Sequence, residues 1–451
     1  MNISIVGLGK LGAPLAAVFA SKGHTVAGID CNSHIVHLIN EGKAPIFEPG
    51  LGELIQKFRA RLQASTEYES ALSDTTVTFI VVPTPSHEEG RFSLEYVLAV
   101  AESIGKGLRY KDEFHLIVLT STVMPGETEN RVLPILEKYS GKQCGKDFGL
   151  CYNPEFVALG SVIHDLLNPD FILIGESDPR SGEILSSVYK TVCSNSPPIV
   201  RMNFVNSELT KLAVNTFVTT KISYANMLAQ VCEQFPGANV DIVTRALGLD
   251  SRIGAKYLKG AIGYGGPCFP RDNIAFTHLA RELGIEALLA EATDSLNRLQ
   301  VPRLEEIILR HLPPNGKVGI LGLAYKPNTD VVEESQGLLL TQTLMNRGIP
   351  TAVYDPMGMG NARRFLRGPT QFAESVEECI QESDVIVITT PWEEFSRISR
   401  EILKREDSPR VLVDCWRLLD APEYHEITNY IAIGIGQDNI PSKASAEQEG
   451  K

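Results

Sequence analysis

Residues 2–12 read NISIVGLGKLG, an apolar, β-branched run that passes without a spacer into Gly7, Gly9 and Gly12. A strand followed at once by G-x-G-x-x-G and a helical pattern admits few folds. The glycines permit a tight strand-to-helix turn and let a pyrophosphate approach backbone N–H groups at a helix N-terminus. Lys10 and Leu11 complete the turn. Alone the turn is a weak signal, but here Asp30 closes the second apolar run, TVAGID. A carboxylate at that place accepts a ribose 2′-hydroxyl and repels a 2′-phosphate, and no Arg or Lys lies within 31–35 to reverse the preference. The pattern predicts a dinucleotide site that favours NAD over NADP.

At 451 residues the chain exceeds what one hydrophobic core serves, so two or three domains are expected. The runs ISIVG, TVAGID, TVTFIVVPTP, LIVLTSTV, GLCYNPEF and FILIGES alternate with helical patterns, which implies βαβ units around a parallel sheet. From Glu208 to Ala246 the pattern turns helical, and its core, ELTKLAVNTFVTTKISYANMLAQVCEQF, is long for a globular helix. It predicts a spine joining two lobes. A second helical stretch covers 272–310. Proline and glycine in LPPNGKVGILGLAYKP then mark a boundary, after which a new strand, TAVYDP, DVIVITT and RVLVDCW predict a second α/β domain. The expected division is 1–200, a dinucleotide-binding domain; 201–311, a central helical region; 312–434, the second α/β domain; and 435–451, a polar, disordered tail.

A formal net charge of −13 argues against nucleic acid or an anionic membrane as partner, while leaving room for an anionic substrate in a local basic pocket. No run of about 18 apolar residues predicts a membrane span, and the N-terminal residues read as a strand without a charged leader, so a cytoplasmic protein is expected. The eight cysteines are sparse and contain no CxxC pair, which excludes a disulfide framework. His34 and His37 sit on an amphipathic helical pattern and do not make a metal site.

In an open α/β sheet the carboxyl ends of the strands face the ligand crevice. Thr84 and Pro85, Ser121 and Thr122, and Glu155 all stand at such ends. The hydroxyls serve equally well as turn caps. Lys211 and Asn215 share one helix face at i and i+4 among apolar neighbours, where a lysine can act as a base. Seven cysteines read as small hydrophobes. Cys268 differs, because GAIGYGGPCFPRDNIAF surrounds it with Gly263, Gly265, Gly266, Pro267 and Pro270 and follows it with Arg271 and Asp272. Such a loop aims one thiol at a ligand. A thiolate adds to an aldehyde, and the thiohemiacetal still carries a hydride to lose.

Together these segments resemble the UDP-glucose/GDP-mannose dehydrogenase family over residues 1–420, through NPEF, ELTKLAVNTF, SRIGAKYL, GYGGPCFPRD and GLAYKPNTD in the family's order. The resemblance implies an α/β fold of two Rossmann-like, doubly wound domains joined by a long central helix that forms a dimer interface. It implies an NAD-dependent, four-electron oxidation of a nucleotide sugar's C6 alcohol to the acid, with Cys268 as covalent nucleophile. Lys211 and Asp272, through a water, manage the first proton. Glu155 serves the hydrolytic water, and Thr122 and Asn215 hold oxygen and water. Gly7, Gly9, Lys10, Leu11, Gly12, Asp30, Thr84, Pro85, Ser121, Thr122 and Arg271 fall on the cofactor side. Glu155, Phe156, Val157, Lys211, Asn215, Lys259, Gly265, Tyr325 and Lys326 fall on the nucleotide-sugar side, and Arg252 matches the arginine that enters the partner subunit's sugar site.

The chain departs from the family pattern at Leu159, Phe171, Arg271, Glu333 and Trp416. With Phe269 after the cysteine, the chain resembles the UDP-glucose members more than the GDP-mannose ones, which implies UDP-glucose as substrate, giving UDP-glucuronate with two NADH. GDP-mannose, a UDP-hexosamine, a two-electron hydroxyacid dehydrogenase and a non-catalytic nucleotide-sugar-binding regulator are the alternatives.

Overall fold

The computed structural model describes residues 1–406, 408–419 and 422–436. The chain forms two compact units, Met1–Val214 and Asn215–Lys451. The first is built on eight strands: β1 (Asn2–Val6), β2 (Thr25–Ile29), β3 (Leu62–Ser65), β4 (Val77–Ile80), β5 (His115–Leu119), β6 (Phe148–Tyr152), β7 (Ile172–Glu176) and β8 (Ile199–Met202). Their order is β3-β2-β1-β4-β5-β6-β7-β8. The order in which the chain adds strands reverses at β1, which pairs parallel with β2 on one side and β4 on the other, and this opens the crevice in which α/β sheets bind ligands.

The central strands are buried on both faces, so they read as continuous apolar runs. Leu116 and Val118 of β5 join the cluster of Leu15, Phe19 and Tyr189; Ile117 and Leu119 join that of Val97, Ile104 and Leu136. One expectation is corrected here. The sheet is not wholly parallel, because β7 runs antiparallel to β6, with Cys151 opposite Glu176 and Tyr152 opposite Gly175. Residues 153–171, which include the helix Val162–Leu167, join the two strands. β8 then pairs parallel with β7.

The second unit contains β9 (Val318–Leu321), β10 (Thr351–Tyr354), β11 (Thr370–Phe372), β12 (Val385–Ile388), β13 (Arg410–Asp414) and β14 (Thr428–Ala432). All six are parallel in the order β11-β10-β9-β12-β13-β14, the arrangement of a dinucleotide-fold sheet. Two apolar clusters cover its faces, one around Ile320, Val353 and Val387, the other around Leu321, Ile386 and Ile388.

The helix Phe204–Cys232 runs 29 residues, about 43 Å, and carries the boundary between the units at Val214 and Asn215. Its helical pattern ends before Pro236 and Gly237, and Val240–Gly248 is a separate helix capped by Asn239. The stretch read as 272–310 resolves into Phe269–Glu282, Leu288–Arg298 and Gln300–His311, the first break falling at Gly284 with φ +71°. Of the tail expected to be disordered, residues 437–451 lie outside the described residues; Ile435 bridges Asn239, and the Gly436 N–H donates to the Ala238 carbonyl at 2.9 Å. Among the described residues no helix is long and apolar enough to cross a membrane, and no cluster of metal-ligating side chains occurs.

Candidate functional site

In the first unit the glycine corner is a backbone device. Gly7 takes φ +93°, and its N–H donates to the Ile29 carbonyl at 2.8 Å, tying the end of β1 to β2. A Cβ at Gly12 would stand 1.8 Å from the Gly7 carbonyl oxygen, so the helix Gly12–Ser21 can start there only on a glycine. Gly9 faces open space, with nothing within 4 Å of where its Cβ would be. Lys10 is exposed and Leu11 half-buried beside it. Asp30, half-buried at the end of β2, accepts the Leu8 N–H on Oδ2 and the Asn32 N–H on Oδ1, both at 2.8 Å. Each oxygen keeps acceptor capacity for a hydroxyl. A bare backbone corner facing a carboxylate fits the pyrophosphate and ribose of NAD.

Two of the strand-end hydroxyls act as ties. Thr84 Oγ1 donates to the Thr122 carbonyl at 2.8 Å, and Ser121 Oγ donates to the Val82 carbonyl at 2.7 Å while accepting its N–H at 3.0 Å. They lock the ends of β4 and β5 together. Thr122 itself is half-buried, and exposed Pro85 receives the Ser93 N–H at 2.7 Å.

Glu155 follows β6. Its Oε1 accepts from the Tyr189 hydroxyl at 2.9 Å, and its backbone carbonyl accepts from Lys211 Nζ at 2.7 Å. Burial pushes its carboxyl up to about 7, against the Tyr189 hydrogen bond and the Lys211 charge, which pull it down. Lys211, 7% exposed, also lies 4.6 Å from the centre of the Phe156 ring, which packs 4.9 Å from Phe171. The lysine is placed by Glu208, one turn earlier on the long helix and wholly buried, which accepts the N–H groups of Gly126 at 2.6 Å and Thr128 at 2.9 Å. Val157 and Leu159 pack against the core around the first helix. Two departures from the family pattern thus have an apolar explanation: Phe171 supports Phe156, and Leu159 faces the core.

In the second unit Cys268, exposed and in no disulfide, immediately precedes the helix Phe269–Glu282. Its carbonyl accepts the Asp272 N–H at 2.8 Å, which starts that helix. Asp272 is 1% exposed; its Oδ2 accepts Asn215 Nδ2 at 2.6 Å, and its Oδ1 accepts Arg271 Nε at 3.1 Å. Arg271, assigned to the cofactor side by sequence, is placed on Asp272.

The glycines before the thiol are required by close approach. A Cβ at Gly265 would lie 2.3 Å from the Glu334 carbonyl oxygen, and one at Gly266 (φ +82°) 2.7 Å from the Tyr325 ring. The Gly266 N–H donates to the Glu333 carbonyl at 2.9 Å. Glu333 therefore meets the cysteine loop through its backbone while its side chain is exposed. Lys326 Nζ lies 6.0 Å from the Tyr325 ring centre. Lys259 is exposed. Arg252 is held outward by Asp250, with Nε–Oδ1 at 2.9 Å, its side chain 86% exposed.

Trp416, in the family's arginine position, donates its indole N–H to the Thr389 carbonyl at 2.9 Å. Its neighbour Arg417 is buried, pairs with Asp241 through two bonds of 2.7 and 2.9 Å, and donates to the Gly260 carbonyl at 2.7 Å, anchoring the start of the cysteine loop. Sequence reasoning missed Asn153, Tyr189, Glu208 and Asp241. Tyr189 and Asp241 lie on amphipathic helices where a core aromatic or a first-turn acid is ordinary, and no spacing marks them.

Comparison with known proteins agrees with this geometry. Residues 1–193, 205–299 and 319–421 match the NAD binding, central and UDP binding domains of the UDP-glucose/GDP-mannose dehydrogenase family. The chain belongs to that family, with two Rossmann-like domains, a long central helix and NAD as cofactor. It is 37% identical to a UDP-glucose 6-dehydrogenase of Haloferax volcanii over 428 residues, covering 94% of this chain and 98% of the relative. It is 32% identical over 416 residues to a GDP-mannose 6-dehydrogenase of Azotobacter vinelandii, covering 89% and 94%. The solved UDP-glucose dehydrogenase of Pyrobaculum islandicum superposes with a TM-score of 0.87 at 35% identity, covering 96% of this chain and 98% of that one. The protein is a nucleotide-sugar dehydrogenase-family enzyme.

Proposed function

We propose that the chain oxidises UDP-glucose at C6 to UDP-glucuronate through a thioester on Cys268. The observation that carries this is the loop itself: an exposed thiol at the head of a helix, one turn from a buried carboxylate already bonded to an amide. Lys211 and Asp272 take the C6 hydroxyl proton through a water as the alcohol becomes the aldehyde. The Cys268 sulfur bonds to the aldehyde carbon, and the carbonyl oxygen gains a proton, leaving a thiohemiacetal that cannot diffuse away. Oxidation of that adduct, its carbon losing a hydride and its hydroxyl losing a proton through the same water, gives the thioester. Glu155 takes a proton from water, the water oxygen bonds to the carbonyl carbon, and the C–S bond breaks to return the thiolate. NAD bound at the Gly7–Gly12 corner supplies the acceptor for a hydride in each of the two oxidations. Exposed apolar side chains on the long helix, including Phe217, Tyr224, Met227 and Val231, support a second copy of the chain as partner, with Arg252 extended towards its sugar site.

The test counts NADH formed per sugar consumed across UDP-glucose, GDP-mannose and UDP-N-acetylmannosamine. Two NADH per UDP-glucose, at the highest kcat/KM of the panel, is the expected result. One NADH per sugar would indicate a two-electron dehydrogenase, and binding without turnover a regulator. Cys268→Ser should give a burst near one equivalent of sites followed by turnover slower by about 10²-fold or more, with the sugar nucleotide attached at position 268 by intact mass. A Cys268→Ser enzyme cycling at the parental rate would remove the covalent step.

A further inference from the structure

The carboxyl of Glu155 is held by a tyrosine that has one hydrogen to give and two acceptors beside it. Tyr189, 1% exposed on the helix Pro179–Val192, places its hydroxyl oxygen 2.9 Å from Glu155 Oε1 and 2.5 Å from Asn153 Oδ1. The orientation of the Asn153 amide is fixed by its other contact. Nδ2 lies 2.8 Å from the Leu173 carbonyl oxygen, which only accepts, so Oδ1 faces the tyrosine.

A phenol carries a single hydrogen. With Glu155 ionised, both neighbours of Tyr189 are acceptors, and one of them stands at hydrogen-bonding distance without a hydrogen between. With Glu155 protonated the count closes: Glu155 donates to the Tyr189 oxygen, and Tyr189 donates to Asn153 Oδ1. Buried polar atoms left unpaired are disfavoured. The dyad therefore biases the carboxyl towards its acid form.

We propose that Tyr189 and Asn153 are positioning residues that keep a proton stored on Glu155, so that it rests as an acid and becomes a base only once that proton has passed to the aldehyde oxygen as the thiohemiacetal forms. The catalytic meaning rests on the reading of Glu155 as the group that serves the hydrolytic water. The ionisable groups facing Glu155 are Lys211 on the long helix, Tyr189, and Cys193 just beyond the tyrosine's helix, itself acted on by Lys22. The Tyr189 hydrogen bond, when it is given to Glu155, and the Lys211 charge favour the carboxylate, and burial opposes them more strongly, raising the group to about 7; Asn153 Oδ1, 2.5 Å from the same hydroxyl, competes for that hydrogen. The hydrogen count works in the same direction as burial. Burial, followed by the Glu155 charge, pushes the Tyr189 phenol well above its ordinary range, so it keeps its hydrogen throughout.

The test titrates the full chain labelled with carboxyl-13C glutamate and ring-13C tyrosine, the two signals being assigned with Glu155→Gln and Tyr189→Phe. Glu155 should lose its proton near neutral pH, and the Tyr189 resonance should step at the same pH as its hydrogen swings from amide to carboxylate. Asn153→Ala removes the competing acceptor and lets Tyr189 donate to the ionised carboxyl, lowering the Glu155 midpoint by about one pH unit, a tenfold change in proton affinity. In a Tyr189→Phe background the same substitution should shift nothing further, because the coupling runs through the hydroxyl. A general loosening would shift both backgrounds alike and overturn the proposal, as would an absent or upward shift. A Tyr189 signal indifferent to Glu155 overturns it without any change at Asn153, so a misfolded Asn153→Ala does not protect it. The titration needs no turnover; a wrong NADH count would sink the enzymatic reading and leave the proton store standing.

Discussion

The two sheets open with the same corner and use it differently. Gly7, Gly12 and Asp30 in the first have counterparts in Gly322, Gly337 and Asp355 in the second. Gly7 and Gly322 both take positive φ, +93° and +111°, and both donate at 2.8 Å to the last residue of the neighbouring strand, Ile29 or Tyr354. A Cβ at Gly12 would stand 1.8 Å from the Gly7 oxygen; one at Gly337 would stand 2.0 Å from the Gly322 oxygen. Each acid accepts the first N–H of the turn, Leu8 at 2.8 Å and Leu323 at 2.7 Å.

The acids then part company. Asp355 is 1% exposed and accepts four backbone N–H groups, those of Leu323, Ala324, Met357 and Gly358, with the Trp392 indole N–H as a fifth at 3.1 Å. Asp30 is half-buried and accepts two. Fourteen residues, 323–336, separate Gly322 from Gly337 where four, 8–11, separate Gly7 from Gly12, and the longer turn brings Tyr325 and Lys326 where the first corner shows bare Gly9. One geometry is thus left open in one sheet and sealed as a structural joint in the other.

The largest expected effect comes from breaking the sealed joint. Asp355→Ala strands five donors, at least four of them backbone groups in a dry site, and should cost about 4 kcal/mol of stability. Denaturant unfolding of the full chain would read it as an early transition of the second sheet. A loss below about 1 kcal/mol would mean that water replaces the carboxylate, and that Asp355 is no more closed than Asp30.

The glycines test the shared half of the comparison. Gly12→Ala and Gly337→Ala each drive a methyl into a carbonyl oxygen, and each should cost about 2–3 kcal/mol because only backbone can yield. Matched costs support a common device. Gly12→Ala should also weaken NAD binding while Gly337→Ala leaves NAD binding intact, as read by fluorescence titration of each folded variant; NAD lost equally in both would dissolve the distinction between the corners.

The same contrast governs what the sequence discloses. The first corner is legible because strand, glycines and helix are contiguous; the second is hidden by its longer turn between Gly322 and Gly337. Ten strands read from β-branched runs are the interior ones. The four left unread, β3, β8, β11 and β14, are the sheet edges. Edge strands have a neighbour on one side only and need fewer apolar residues, as the partly exposed pattern of IVRM in β8 illustrates. At the site, Cys268, Glu155 and Lys211 stand out because their residue types are unusual in their settings. Tyr189 and Asn153 do not, since a buried tyrosine on an amphipathic helix is indistinguishable from core until its hydroxyl is seen against two acceptors.

The smallest effect, and the sharpest, concerns the open acid. In Asp30→Ala the N–H groups of Leu8 and Asn32 lose their acceptor at a half-buried corner that water can reach, so the stability loss should stay below about 1 kcal/mol. What should change is the ligand. If Asp30 accepts the ribose hydroxyl as proposed, NAD should bind about tenfold more weakly, roughly 1.4 kcal/mol. Repulsion of a 2′-phosphate is gone as well, so NADP should gain or hold affinity, and the NAD preference of the parent, expected at tenfold or more, should collapse towards parity. Dissociation constants for both cofactors, measured by fluorescence titration on parent and variant at one ionic strength, decide it. An unchanged ratio would show that Asp30 does not face the adenosine ribose, and the two corners would then differ in exposure without differing in use.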